Sequence, residues 1–93
     1  MKDVTYHIMV RDASGISFIN EHNELISDPS TYQDDLNKVV NRYLSVKHNF
    51  EDCIIYEIEG KRVPIFIDSK EWEKCKQRSQ HILRPFLIEK HLS

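Results

Sequence analysis

Apolar and polar residues alternate near the start of the chain. Between Val4 and Val10 every second residue is Val, Tyr or Ile, and this two-residue period predicts a half-buried β-strand. Turn-forming residues follow over 12–15, where Gly15 can adopt a positive φ. An apolar segment over 16–19 completes a predicted β-hairpin. The next short apolar pair, Leu25-Ile26, is expected to anchor a polar loop to the core.

The apolar spacing then changes to that of an amphipathic helix. The residues that share its apolar stripe are Tyr32, Leu36, Val39, Val40, Tyr43 and Val46. Ser30 with Gln33 forms a capping-box pattern, and Thr31 with Asp34 offers an alternative start. The helix is expected to end near His48. Its opposite face carries charges of both signs, which is typical of a solvated surface.

The second half of the chain repeats the order of hairpin and helix. The apolar segment Cys53–Ile58 predicts a strand, residues 59–62 predict a tight turn, and residues 63–67 predict the partner strand. Pro64 has no N–H to donate to a sheet, so this partner strand is expected at a sheet edge.

A second amphipathic helix is predicted after Asp68, which has the features of an N-cap with Glu71 at the third helical position. One side of this helix carries Trp72, Cys75, Ser79, Ile82, Leu83 and Phe86. The opposite side carries Lys70, Lys74, Gln77, Arg78, His81 and Arg84. Pro85 predicts a kink or an end to the helix. The apolar residues after it are out of phase, so they either complete the core or face another molecule.

Together these segments predict an α+β fold with the order ββαββα in one compact domain of residues 1–93, made of hairpin-helix units 4–48 and 53–92. The simplest assembly is a two-layer sandwich, with a mainly antiparallel four-stranded sheet and both helices on one face. The predicted core consists of Tyr6, Ile8, Phe18, Leu36, Val40, Tyr43, Ile54, Tyr56, Ile65, Trp72, Ile82 and Phe86. A homodimer through a sheet edge or through the C-terminal segment is the alternative assembly.

Charge is distributed unevenly along the chain. Residues 1–60 contain five basic and eleven acidic side chains, whereas residues 61–93 contain eight basic and four acidic ones, although the formal net charge of the whole chain is only −2. If the fold keeps these groups apart, the surface is bipolar and attracts an anionic partner to the C-terminal part. If the fold interleaves them, no such surface forms.

No catalytic or metal motif is recognisable. The histidines are scattered over five predicted elements, and Cys53 and Cys75 do not form a CxxC pair, so we predict no metal site and treat both thiols as small core residues. Two isolated glycines cannot build a phosphate loop. We therefore expect neither a cofactor nor an enzyme. A small nuclease or hydrolase that uses a His, a Glu and basic residues is the third interpretation.

Targeting features are also lacking in the sequence. The N-terminus does not have the pattern of a secretory signal, and no apolar segment reaches the roughly 20 residues that a membrane span needs. These features favour a cytoplasmic location with no membrane partner. Isoleucine occurs eleven times and alanine once, a composition that suits the AT-rich genomes of many bacteria, phages and mobile elements.

These observations predict a non-enzymatic accessory or regulatory protein, an inhibitor or an adaptor, that acts by binding a protein partner. The predicted contact residues are Lys70, Lys74, Arg78, His81 and Arg84 on the last helix, with Lys61 and Arg62 at the hairpin tip. The alternative is a nucleic-acid-binding protein that uses the same residues against phosphates. Glu71 and Glu73, which flank the basic row, argue against that alternative.

Overall fold

The fold is that of a computed structural model, which describes residues 4–13, 15–27, 35–60 and 68–92, with side chains as far as Leu87. The elements in chain order are β1 (Val4–Asp12), β2 (Gly15–Ile19), β3 (Leu25–Ile26), α1 (Leu36–Val46), a 3-10 turn (Lys47–Asn49), β4 (Asp52–Glu59) and α2 (Ser69–Leu92). Because strands pair side by side and both helices pack against them, the α+β class is confirmed.

The four strands form one antiparallel sheet in the order β3-β2-β1-β4. At its centre, Ile8 lies opposite Ile19 of β2 and Ile55 of β4. The predicted four-stranded antiparallel sheet is thus confirmed, but its fourth described strand is β3, which was expected to be a loop anchor. The strand predicted over 63–67, with Pro64 and the predicted core residue Ile65, lies outside the described residues.

Local signals position the ends of several elements. Gly15 has a φ of +127° at the start of β2, which confirms the positive φ expected in the first hairpin. The Asp35 side chain caps α1 by accepting the Lys38 N–H at 2.9 Å. The capping patterns predicted over 30–34 lie outside the described residues. The 3-10 turn that follows α1 ends at Asn49, close to the predicted end of the helix.

The cap predicted at the start of α2 is also confirmed. Asp68 Oδ1 accepts the Glu71 N–H at 2.8 Å, and the Asp68 carbonyl accepts the Trp72 N–H at 2.9 Å. The helix does not end at Pro85 but continues to Leu92. Proline has no N–H, so the turn before Pro85 lacks the hydrogen bond that the His81 carbonyl would otherwise accept.

Both faces of the sheet are covered. One face holds a cluster of Ile8, Val10, Ile19, Val39, Val40, Val46, Ile55 and Leu83. The other face holds a cluster of Met9, Phe18, Ile54 and Trp72. Three consecutive residues of β1, Ile8–Val10, are at most 1 % exposed. The expectation that this strand is half-buried was therefore wrong, because apolar side chains lie on both of its faces.

The position of α2 differs from the expected layer of two helices on one face. Helix α1 contributes Val39 and Val40 to the first cluster only, whereas α2 contributes Leu83 to the first cluster and Trp72 to the second. Side chains of a strand alternate between its faces, and β4 is the last strand of the described sheet order. Helix α2 therefore crosses the outer edge of β4 and packs on both sides of the sheet.

The predicted core is largely recovered. The fully buried members are Ile8, Phe18, Val40, Ile54 and Trp72. Those that are partly buried against the two clusters are Tyr6, Leu36, Tyr43, Tyr56, Ile82 and Phe86. Most of the residues chosen from periodicity thus pack in the interior, on one side of the sheet or the other.

Candidate functional site

Three residues along the inner side of α2 attach the helix to the sheet. Trp72 is completely buried, and the Arg11 guanidinium lies 5.0 Å from the centre of its ring. About two turns further on, Ser79 Oγ accepts the backbone N–H of Ile55 at 2.9 Å. Leu83 is buried on the other face of the sheet. The helix is therefore held as a rigid support for whatever its outer side presents.

The outer side of α2 presents four basic or titratable side chains, which we call the basic ridge: Lys70, Lys74, His81 and Arg84. All four are exposed, and the Lys74 side chain is 71 % exposed. At a rise of 1.5 Å per residue, the ridge is about 21 Å long. The structure thus brings these predicted site residues to one continuous surface, where they can meet an anionic partner.

Arg78 has a different position from the ridge. Its Nε and Nη2 both donate to Glu57 Oε2 of β4, at 3.0 and 2.9 Å, and the Glu57 side chain is only 16 % exposed. A charge-assisted contact with two donors restrains the guanidinium in both position and orientation. Arg78 therefore joins α2 to β4, although its own side chain remains 57 % exposed. The other predicted contacts, Lys61 and Arg62, lie outside the described residues.

An open groove follows each flank of α2. On one flank a groove of about 410 Å³ brings Glu57 and Glu59 of β4 together with Lys74 and Arg78. On the other flank a groove of about 330 Å³ has Glu51, Asp52 and Lys76 among its lining residues. Carboxylates from the two ends of β4 consequently border the helix on both sides. Each groove also contains basic side chains, Lys74 and Arg78 on one flank and Lys47 and Lys76 on the other, so the flanks of the ridge carry charges of both signs.

The two thiols lie beside these grooves but are not activated. Burial raises the pKa of Cys53 to about 12. Burial, and then the nearby Glu71 carboxylate, raises the pKa of Cys75 above its ordinary value. A protonated thiol is a weak nucleophile and a poor metal ligand. Both cysteines therefore act as small packing groups at neutral pH.

The surroundings of His7 change its titration. Burial, and then the positive charge of Arg42, lowers its pKa below the ordinary value. Its ring contacts Phe18 edge-on with 6.2 Å between centroids, and its Nε2 lies 2.9 Å from Thr5 Oγ1. These contacts are structural. Among the described residues, no group of three or more His, Cys, Asp or Glu side chains is arranged to hold a metal ion.

Two residues that sequence reasoning did not single out connect the ridge to the sheet. Ser79 was placed within the apolar stripe without a role, and Glu57 was treated as part of a strand with no contact assigned to it. A single polar residue in an apolar stripe is a signal for a buried hydrogen bond, so Ser79 could have been suspected. The pairing of Glu57 with Arg78 depends on tertiary structure alone.

Comparison of the chain with protein-family models, with curated proteins and with solved structures found no match. Within the part of the chain that the structure describes, no helix is both long enough and apolar enough to cross a bilayer.

Proposed function

We propose that this chain is a non-enzymatic, cytoplasmic accessory protein, an inhibitor or an adaptor, that binds a protein partner through the basic ridge of α2. The observation that carries this proposal is the exposure of Lys70, Lys74, His81 and Arg84 along one side of a helix whose other side is buried on both faces of the sheet. A surface that is already ordered before it binds loses little conformational entropy on association.

The position of α2 also bears on self-association. Pairing of a second copy along the middle of β4 would need the Ile55 N–H, which Ser79 Oγ already occupies. At the opposite side of the described sheet, β3 is only two residues long. A short edge offers few hydrogen bonds to an added strand. These features favour a different macromolecule over a second copy of this chain as the partner.

The proposal is tested by affinity capture from a bacterial lysate with the tagged full chain, with and without nuclease. The informative variant is Lys74→Glu, and its matched control is Lys38→Glu. The control reverses one charge on α1, so both variants change the net charge equally. Circular dichroism establishes that each variant is folded.

We expect a discrete protein that survives nuclease treatment, is lost with the ridge variant and is kept with the control. A protein that the ridge variant retains would place the binding surface elsewhere. Retention that disappears after nuclease treatment would make nucleic acid the partner.

A further inference from the structure

We infer that the groove between α2 and the chain segment that joins α1 to β4 binds a small organic anion, namely a carboxylate attached to an apolar body. This groove, which we call the lysine groove, has a volume of about 330 Å³ and includes Lys47 and Lys76 in its lining. The inference goes beyond the proposed function and does not depend on it, because the basic ridge lies on the outer side of α2.

Two lysines on different elements supply the positive charge of the lysine groove. Lys47 belongs to the 3-10 turn and Lys76 to α2, and both residues are half-buried. Within the described parts of the chain, neither forms an ion pair with a carboxylate. The aliphatic part of a lysine can lie along apolar surface while its ammonium group stays hydrated. Each side of the groove therefore offers one ammonium group to an anion.

The carboxylates of the lysine groove do not cancel this charge. Glu51 and Asp52 both line it, but Asp52 Oδ2 already accepts a hydrogen bond from Arg11 Nη2 at 3.1 Å. Glu51 then stands against the two lysines, which leaves one excess positive charge when His48, also in the lining, is counted as neutral. A cleft with an excess of one sign attracts ligands of the opposite sign. One excess charge suits a monoanion such as a carboxylate.

The floor of the lysine groove is apolar and uncharged. It consists of Tyr43, Phe50, Cys53 and Leu83, which belong to the first core cluster or pack against it. Burial raises the pKa of Cys53 to about 12, and burial and then Cys53 raise the pKa of Tyr43, so both side chains are neutral at neutral pH. Removal of apolar surface from water is favourable. An anion with an apolar body therefore gains more here than an inorganic anion.

The size and position of the lysine groove favour a free small molecule. Sites for small molecules have volumes of about 300–1,000 Å³ and combine apolar surface with a few polar groups that orient the ligand. A groove of about 330 Å³ is at the small end of this range and suits one or two fused rings. Helix α2 contributes Lys76, Ser79, Gln80 and Leu83 to it, and none of these belongs to the basic ridge. A small ligand and the proposed protein partner would thus use different residues.

The experiment is an NMR titration that follows the backbone amides of the isotope-labelled full chain. The first probe is naphthoate, the second is naphthamide, which has nearly the same shape without the charge, and the third is acetate, which has the charge without the rings. The dipeptide N-acetyl-Trp-Glu amide tests for a protein segment as the occupant. The parent is compared with Lys47→Gln/Lys76→Gln and with the matched control Lys38→Gln/Lys74→Gln, which removes two lysines that do not line this groove.

We expect naphthoate to shift the amides over 47–53 and 76–83, with a dissociation constant of about 0.1–1 mM, as is typical of a ligand of this size. Naphthamide should bind about fivefold or more weakly, and acetate should give no saturable shift. The Lys47→Gln/Lys76→Gln variant should bind naphthoate about fivefold or more weakly and lose the preference for it over naphthamide. The control variant should keep both the affinity and the preference.

Several outcomes would overturn the inference. Equal binding of naphthoate and naphthamide would show that the negative charge is not recognised, and shifts confined to other amides would assign the ligand to another site. Tighter binding of the dipeptide than of naphthoate would make a protein segment the occupant. If the amide spectrum shows that Lys47→Gln/Lys76→Gln is unfolded, Gln80→Trp replaces it, because Gln80 is exposed and lines the groove. Undiminished naphthoate binding by Gln80→Trp would contradict the site.

Discussion

Ser79 is the buried polar side chain that joins α2 to the sheet. It is 2 % exposed, and its hydroxyl oxygen accepts the Ile55 N–H at 2.9 Å. That N–H points away from β1 along the outer edge of β4, where no neighbouring strand of the described sheet is present to accept it. A buried N–H without an acceptor is costly. At this point a helix side chain therefore supplies the hydrogen-bond acceptor that a neighbouring strand would otherwise supply.

Replacement of Ser79 by Ala is expected to lower the free energy of unfolding by about 1–3 kcal/mol, because it leaves the Ile55 N–H unsatisfied. Urea denaturation followed by circular dichroism measures the change. The control is Ser45→Ala, since Ser45 is exposed and donates to the Arg42 carbonyl within its own helix; we expect a change below about 0.5 kcal/mol there. Equal effects of the two substitutions would contradict the role given to Ser79.

His7 makes the stability of the fold depend on pH. Its pKa in the folded protein is lowered by burial and then by the charge of Arg42, so the unfolded chain binds the proton more tightly than the folded one. Stability should be unaffected by His7 well above pH 6.5. It should fall as the pH drops below about 6.5, the ordinary pKa of histidine, until the folded form is protonated as well.

The prediction for His7 is tested by urea denaturation at several pH values between about 7.5 and 5.5, comparing the parent with His7→Gln. We expect the parent to lose stability across this range and the variant to lose clearly less. His22 is exposed, so His22→Gln serves as the control and should follow the parent. If His7→Gln retains the whole pH dependence of the parent, another titratable group causes that dependence.

At the scale of elements, α2 depends on anchors on opposite faces of the sheet. Trp72 packs with Met9, Phe18 and Ile54 on one face, while Leu83 packs on the other. The Arg11 guanidinium covers the Trp72 ring and is itself held by Asp52 at 3.1 Å. Loss of either anchor should release part of the helix and expose the sheet beneath it.

We expect Trp72→Ala to lower the free energy of unfolding by about 3–5 kcal/mol, the usual cost of removing a fully buried aromatic side chain. This is a large part of the total stability of a small domain. The measurement is thermal and urea denaturation by circular dichroism, since Trp72 is the single tryptophan of the chain. Leu87→Ala is the control on the same helix, because Leu87 is 39 % exposed and should cost far less. An unchanged denaturation midpoint for the Trp72 variant would contradict the described packing.

The elements differ in how well they could be predicted. Helix α2 was predictable because an apolar stripe over about four turns, with Asp68 as its cap, is a local and repeated signal. Strand β3 was not, because two apolar residues are too short a pattern to indicate pairing, and Leu25 remains 50 % exposed. Strand β1 was placed correctly, but it was expected to be buried on one face only, whereas Met9 on its other face is fully buried. The apolar residue that covers it, Trp72, is distant in sequence.

At the scale of the whole molecule, the sequence suggested a surface with an acidic part and a basic part. The structure keeps a basic side on α2 but places charges of both signs along its flanks. The basic ridge follows the outer side of α2, while both of its flanks carry carboxylates mixed with basic side chains. The positive charge of Arg78 is partly used within the molecule, in its contact with Glu57. The basic surface that remains available to a partner is therefore smaller than the basic stripe that the helical periodicity indicates.

The sequence by itself determined the α+β class, the helices and most strands, the Asp68 cap, the positive φ of Gly15 and the side of α2 that faces solvent. Each depends on residues within one or two turns of each other, so local periodicity and turn chemistry are sufficient. Only the tertiary structure decided that α2 crosses the edge of β4, that Ser79 satisfies Ile55, and that Arg78 contacts Glu57. Those features join residues more than twenty positions apart, and contacts at such separation are set by the packing of the whole chain.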